Sequence, residues 1–306
     1  MIYTLTINPA IDMHISANEM AFGKVNRTKD AVYSANGKGI NVSAALRHFG
    51  IESEIIGIFG GFSGEYIVDY YKSRGYKVYG VKIDGITRIN VFVEVNGNEC
   101  NLVNNGPLVS QNKQKELLDL IDKLEDMDTL VISGSMANGI DDTYYEQLLD
   151  VCKAKNTKVI LDISSVKLKA LLRYKPLLIK PNDEEIKGIF DFDIVDEKDA
   201  VYMLLKLYEM GAQNVLITLG EKGSYFYNGT DTYFCEPYPV KLKSSVCAGD
   251  CYLAAFLSEW LTKPENVEGA MTLASATGAN VAESSGMGDF ANVDKYRKKI
   301  KVRKIL

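Results

Sequence analysis

The stretch KVILDISSVKLKALLRYKPLLIKPN, residues 158 to 182, decides the fold. It holds two short apolar runs, and each stops abruptly at polar groups: Asp162 with Ser164, then Lys180 with Asn182. Unbroken apolar runs of this length suit strands covered on both faces, as in a parallel sheet. TLVISGS (129–135) and NVLITLG (214–220) read the same way, with helical segments between the four runs. Nearer the start, MIYTLTI and SEIIGIFG are further strands. INVSAALRHFG and GEYIVDYYKSRG carry helical spacing and stop at Gly50 and Gly75, where a left-handed glycine ends a helix. The alternation predicts an α/β chain with a mostly parallel sheet and helices on both faces. Ligands of such sheets gather at the carboxyl ends of the strands. Chemistry is therefore expected at NPAID, FGG, SGS, DIS, KPN, TLG and CAGD.

Two segments break the alternation. Residues 9–34 and 86–106 lack helical spacing, and INVFVEV and ECNLV flank Asn96-Gly97-Asn98, a strong hairpin signal. They predict a small β-sheet lid inserted into a core made of residues 1–8, 35–85 and 107–306.

The totals exclude several classes. Hydrophobic residues at 46% allow a large buried core, and a net charge of −5 argues against nucleic-acid or membrane-surface binding, which needs a basic face. Five scattered cysteines without a CxxC pair argue against zinc and against a disulfide framework, and fit a reducing cytoplasmic setting. No signal peptide or transmembrane run is expected. The basic end YRKKIKVRKIL reads as a solvated terminal helix or strand. Only His14 and His48 are available, so a histidine-based triad is hard to build.

Each candidate motif has an ordinary reading beside its chemical one. In SSVCAGDCYLAAFL (244–257) small residues precede an apolar helix. A helix N-terminus with bare amides attracts an anion. Asp250 there could cap the helix, or accept a proton from a hydroxyl attacking a phosphoryl group. In SANGKGINVSAAL (34–46), Gly37, Lys38 and Gly39 precede a helix that includes Asn41; this is an anion site or a glycine turn with a solvated lysine, and it is no Walker A loop. Arg27 and Arg88 lie in the two β segments, as phosphate ligands or as edge-strand cations. In KPNDEE, Asn182 and Glu185 could hold waters on Mg²⁺ or start a helix. Gly220 and Gly223 in TLGEKGS form either a turn or the floor of a nucleotide site.

The order of these motifs is more specific than any one of them. INPAID, VNR, GKGINVS, GIFGG, TRINV, NNGP, SGS, LDIS, KPNDEE, TLGEKG and AGD before an apolar helix resemble the PfkB (ribokinase-like) carbohydrate kinases over nearly the whole chain. The chain is most similar to the branch containing 1-phosphofructokinase and tagatose-6-phosphate kinase. The resemblance implies a three-layer α/β/α core with a β lid. It implies an ATP- and Mg²⁺-dependent sugar-phosphate kinase, with fructose 1-phosphate as the first expectation and tagatose 6-phosphate, or a non-catalytic sensor on the same fold, as alternatives. A homodimer through the lid is implied as well.

On that resemblance Asp250 is the base, and the amides of Ala248, Gly249 and Asp250 form an anion hole. Asp12, Arg27, Gly37, Lys38, Gly39, Asn41, Arg88 and Ser135 face the sugar phosphate. Lys180, Asn182, Thr218, Gly220, Gly223, Gly249 and Asn280 face ATP, and Asn182 with Glu185 serves Mg²⁺ through water. The chain departs from the pattern at four places: Cys247 for the first glycine of GAGD, Asn36 for the first glycine of GGKG, Phe92 for a lysine after TRINV, and Met136-Ala137-Asn138 after SGS.

Overall fold

The computed structural model describes residues 1–96, 98–141 and 143–305. Fourteen strands are found among them. In chain order they are β1 (Ile2–Thr6), β2 (Ala10–Ala17), β3 (Thr28–Asn36), β4 (Ser53–Gly60), β5 (Val78–Ile83), β6 (Ile89–Val95), β7 (Asn98–Leu102), β8 (Thr129–Ser133), β9 (Lys158–Asp162), β10 (Leu178–Ile179), β11 (Val215–Thr218), β12 (Ser224–Tyr227), β13 (Thr232–Cys235) and β14 (Val302–Lys304). Ten form one sheet in the order β14-β13-β12-β11-β10-β9-β8-β1-β4-β5, and four form a separate sheet, β3-β2-β6-β7. From β5 to β11 every pairing is parallel. The four apolar runs are β8 to β11, as their composition requires.

Alternate residues of these strands enter two separate cores. Leu130, Ile132, Leu161, Ile179 and Val215 pack with Leu117, Ile121, Tyr144 and Leu148 from helices on one face. Val131, Ile160, Leu178 and Leu216 point the other way, against Val42 and Leu46 and against the helices Ala248–Trp260 and Val267–Ala282. The chain is thus a three-layer α/β/α sandwich. The Ala248–Trp260 helix is apolar nearly all round because it lies between the sheet and a second helix. Leu253, Phe256 and Leu257 are fully buried, each contributing about 1.5–3 kcal/mol.

The hairpin expected at 89–102 is β6 and β7, paired from Val91↔Leu102 to Val95↔Asn98, with Gly97 of its turn outside the described residues. The β-rich run YFCEPYPVKL leaves the sheet at Cys235, since prolines at 237 and 239 have no N–H to give a ladder. The basic terminus is a short helix, Val293–Arg297, and then β14, an edge strand against β13. No helix among the described residues is long and apolar enough to cross a membrane.

Candidate active site

The Ala248–Trp260 helix begins at a cysteine in the left-handed region. Cys247 has φ 65° and makes no side-chain cap bond. The amide of Ala248 meets the Ser245 carbonyl at 3.3 Å. Those of Gly249 and Asp250 belong to the first turn, where helical geometry supplies no acceptor. Gly249 is exposed, and a Cβ added to it would meet only the Lys180 ammonium, 3.7 Å away. The hollow between these amides and Lys180 is therefore open and positive. Asp250 is not the cap: it is the third helical residue, buried, and its Oδ2 accepts a hydrogen bond from Asn41 Nδ2 at 2.8 Å.

Asn41 belongs to the Lys38–His48 helix, which packs on the Ala248–Trp260 helix and shares its end of the sheet. Gly39 permits this placement, because a Cβ there would lie 2.7 Å from the Leu5 carbonyl oxygen of β1. Asn36, at the end of β3, accepts from the Gly37 amide and from Asn41 Nδ2, both at 2.6 Å, and donates to Asp12 Oδ2. The other oxygen of Asp12 accepts from Asn90 of β6 at 2.8 Å. Asp12 is buried where the small sheet meets the core.

Charges of both signs surround Asp250. Lys180 lies 3.0 Å from Asp162, both almost fully buried, and neither Asp162 oxygen has a hydrogen-bond partner. Lys38 stands 3.8 Å from Glu185. Burial pushes the Asp250 carboxyl up to about 6; Asp162 adds to the rise, while Lys38, the Asn41 bond and Lys180 oppose it. Asp162, foremost, and then Asp250 and Glu185 hold the Lys38 ammonium above its ordinary value against burial.

Asn182 and Glu185 form a capping box: Asn182 Oδ1 accepts from the Glu185 amide at 2.7 Å, and Glu185 Oε2 accepts from the Asn182 amide at 3.1 Å. Glu185 Oε1 also accepts from Ser164. Thr218 bridges Asn182 in parallel, so the ends of β10 and β11 lie side by side. Gly220 and Gly223, at φ 56° and 95°, turn the chain into β12, and a Cβ on Gly223 would lie 2.4 Å from the Cys235 carbonyl oxygen. Asn280 is buried, accepting from the Asn292 amide at 3.1 Å, and so ties down the loop that follows its helix.

Arg88 reaches from the small sheet to the carbonyls of Asn8 (3.0 Å) and Asn104 (3.2 Å). Its Nε is buried without a partner, and burial lowers its pKa. Ser135 is exposed just past β8. Arg27 is exposed before β3 and stands apart in this chain: Thr28 is six positions from Ser34, the partner of Asp12, about 20 Å along the strand. Sequence reasoning expected chemistry at DIS and noted Asn36 as a departure from pattern, but gave no role to Asp162, Asn36 or Asn90. A lone acid ending the apolar run of β9 was a usable signal for Asp162; the two asparagines carry none without their partners.

A buried acid beside a helix mouth, two lysines and bare amides define an α/β phosphotransferase site built at strand ends. Residues 3–293 match the family described as pfkB family carbohydrate kinase. The chain is 41% identical to a D-tagatose-1-phosphate kinase of Klebsiella oxytoca over 99% of both chains. It is 32% identical to a 1-phosphofructokinase of Bacillus subtilis over the full length of both. The structure of Escherichia coli phosphofructokinase-2 in complex with substrates and products superposes with a TM-score of 0.90 at 25% identity, over 97% of this chain and 98% of that one. The protein belongs to the pfkB family of carbohydrate kinases and is a phosphotransferase acting on a hydroxyl.

Proposed function

We propose that the chain transfers the γ-phosphoryl group of ATP to the C6 hydroxyl of a ketohexose 1-phosphate. The observation that carries this reading is the buried Asp250, raised toward neutrality and aimed by Asn41, beside amides that Gly249 leaves uncovered. Asp250 takes the proton of the C6 hydroxyl as its oxygen bonds to the γ-phosphorus; the bond from that phosphorus to the β–γ bridging oxygen breaks and ADP leaves. The amides of Gly249 and Asp250, with Ala248 at the edge of the hollow, and the ammonium of Lys180 stabilise the charge on the transferring group. Asp12 accepts from sugar hydroxyls. Lys38 and the guanidinium of Arg88 answer the 1-phosphate, with Gly37, Gly39 and Ser135 bordering it. Lys180, Asn182, Thr218, Gly220, Gly223 and Asn280 bound the ATP side.

Among the described residues no group of three or more histidine, cysteine or acidic side chains could hold a metal ion by itself. The donor set therefore fits a hydrated Mg²⁺ that arrives on the ATP phosphates, with Glu185 and Asn182 holding its waters. Bound so, Mg²⁺ supplies charge neutralisation on the phosphates.

Residues 9–34 and 86–106 act in this reading as a lid that keeps water from the phosphoryl group. Their exposed apolar side chains, including Val32, Tyr33 and Leu102, fit a second copy of the chain. The free cysteines suit a reducing cytoplasm.

D-tagatose 1-phosphate and D-fructose 1-phosphate are C4 epimers. The relatives at 41% and 35% identity bear the first name, and two at 32% the second, which favours tagatose 1-phosphate. ADP release measured over both 1-phosphates, tagatose 6-phosphate, fructose 6-phosphate and the free sugars tests the proposal. Turnover on a 1-phosphate is expected; turnover confined to the others, or binding without ADP, overturns it.

A further inference from the structure

Two departures of this chain from its family's pattern, Asn36 and Cys247, touch each other. Asn36 Nδ2 lies 3.8 Å from Cys247 Sγ, which also lies 3.4 Å from Asn41 Nδ2. We propose that Asn36 is a positioning residue that joins the sugar-side carboxylate of Asp12 to the base Asp250, acting on the base through Asn41. The proposal rests on the reading of Asp250 and Asp12 given above and adds the element that couples them.

Counting donors and acceptors carries the inference. The Asn36 carbonyl oxygen has two lone pairs, and two N–H groups fill them: the Gly37 amide and Asn41 Nδ2. Its NH₂ donates to Asp12 Oδ2. Asn41 directs its own NH₂ to the Asn36 oxygen and to Asp250 Oδ2. Neither amide can turn over. A flipped Asn36 would set its NH₂ against two donors and its oxygen against the Asp12 carboxylate. A flipped Asn41 would set its oxygen against the Asp250 carboxylate and that of Asn36. One path of side-chain hydrogen bonds therefore runs Asn90–Asp12–Asn36–Asn41–Asp250, from β6 of the small sheet to the helix that carries the base.

A glycine at position 36 could do neither task. It would free one Asp12 oxygen and leave Asn41 a choice of two orientations, one of which repels the base. Cys247 fits the same account. Its thiol closes the side of the two amides that a glycine would leave open, and burial keeps it in the thiol form. A neutral sulfur beside two NH₂ groups does not compete for them as a charged group would.

The position of Asp250's titration reports the coupling. The charged groups facing it are Lys38, Asp162 and Lys180, with Cys247 neutral beside it, and all four are unchanged by substitutions at 36 or 41. Losing an oriented Asn41 removes a contact that favours the ionised acid, so the titration moves up.

The test compares wild type, Asn36→Ala, Asn36→Gly, Asn41→Ala and the Asn36→Ala/Asn41→Ala pair in the full chain. Asn36→Ala and Asn36→Gly are expected to raise the sugar-phosphate KM about tenfold, the effect of one lost hydrogen bond to a charged group. They should also lower kcat several-fold and leave the ATP KM within about twofold. The Asp250 titration should move up by about one unit. It is read without any sugar, from the pH dependence of the Tm difference between each protein and the same protein carrying Asp250→Asn. In the Asn41→Ala background, Asn36→Ala should move that titration no further while still raising the sugar KM. An unmoved titration with an unchanged sugar KM overturns the proposal. So does an equal rise of the ATP and sugar KM with a lowered Tm, which marks general damage. Should the wild type phosphorylate none of the sugars, the functional reading fails, and the titration arm still decides the link between Asn36 and Asp250.

Discussion

Replacing Asp250 with asparagine should stop turnover and stabilise the fold together. Burial, above all else, carries the carboxyl from 3.8 to about 6. At 1.36 kcal/mol per unit, that rise disfavours the ionised native state by about 3 kcal/mol relative to the unfolded chain. The native state therefore binds this proton more tightly than the unfolded one. Between about pH 4 and 6 the folded chain keeps a proton that the unfolded chain has released, and stability falls as pH rises through that window. Above pH 6 the whole penalty stands; at pH 5 about half of it does. Asparagine matches the shape, carries no charge, and keeps an oxygen for the bond from Asn41. Asp250→Asn should thus exceed wild type by up to about 3 kcal/mol at pH 8, roughly 6 °C in Tm for a chain of this size, and by about half that at pH 5. Its turnover at pH 8 should fall at least ~10²-fold. Thermal unfolding followed by circular dichroism from pH 5 to 8, beside an ADP-release assay, reads both effects. A Tm no higher than wild type at pH 8 refutes the strained carboxylate, and near-normal turnover refutes the base.

Cys247→Gly should be more stable than Cys247→Ala by about 1 kcal/mol, because only glycine takes a positive φ without strain; urea unfolding that ranks alanine equal or higher would dispose of this. Lys180→Met leaves the buried Asp162 without its cation and should cost about 3–5 kcal/mol, partly recovered by adding Asp162→Asn. No recovery in denaturant titrations would mean the loss comes from packing instead. Lys38→Ala and Arg88→Ala should each raise the sugar-phosphate KM about tenfold or more, with Arg88→Ala also lowering Tm through its lost bonds to Asn8 and Asn104. An unchanged KM in both variants would place the substrate phosphate elsewhere.

Strand ends were legible because burial on both faces forces a parallel strand to be apolar until it leaves the sheet. Asp162, Asn182 and Thr218 stand where those runs stop. The rule pointed to these residues without knowing their chemistry. Asn182 and Glu185 show its limit: three residues apart at a helix start, they suit a capping box and a metal's waters equally on paper, and the box is what they form without ligand. Asn36 was beyond reach for a different reason. Its role depends on Asp12, 24 residues earlier, and on Asp250, brought to Asn41 across 209 residues of chain. Local pattern reports hydrophobic period and turn chemistry, and neither carries a contact of that separation. Cys247 was legible only as a departure from pattern; that the position does demand a positive φ needed the structure.

The opposition of effects at Asp250 explains why the site holds both a deep burial and two lysines. A carboxylate with the lysines and no burial would stay near or below its ordinary value and take a proton weakly. With burial and Asp162 alone it would hold its proton at neutral pH and have no lone pair to offer the hydroxyl. Burial outweighs the lysines and leaves the carboxyl at about 6, where it is ionised at neutral pH and still avid for a proton. Such a balance is sensitive to each contributor. Asn41 is the contributor that also orients the carboxylate, so under the proposed coupling a chain that fixes Asn41 through Asn36 would set the strength and the direction of the acid together. Under the function proposed above, the lysines that oppose the rise at Asp250 would also face the phosphoryl group.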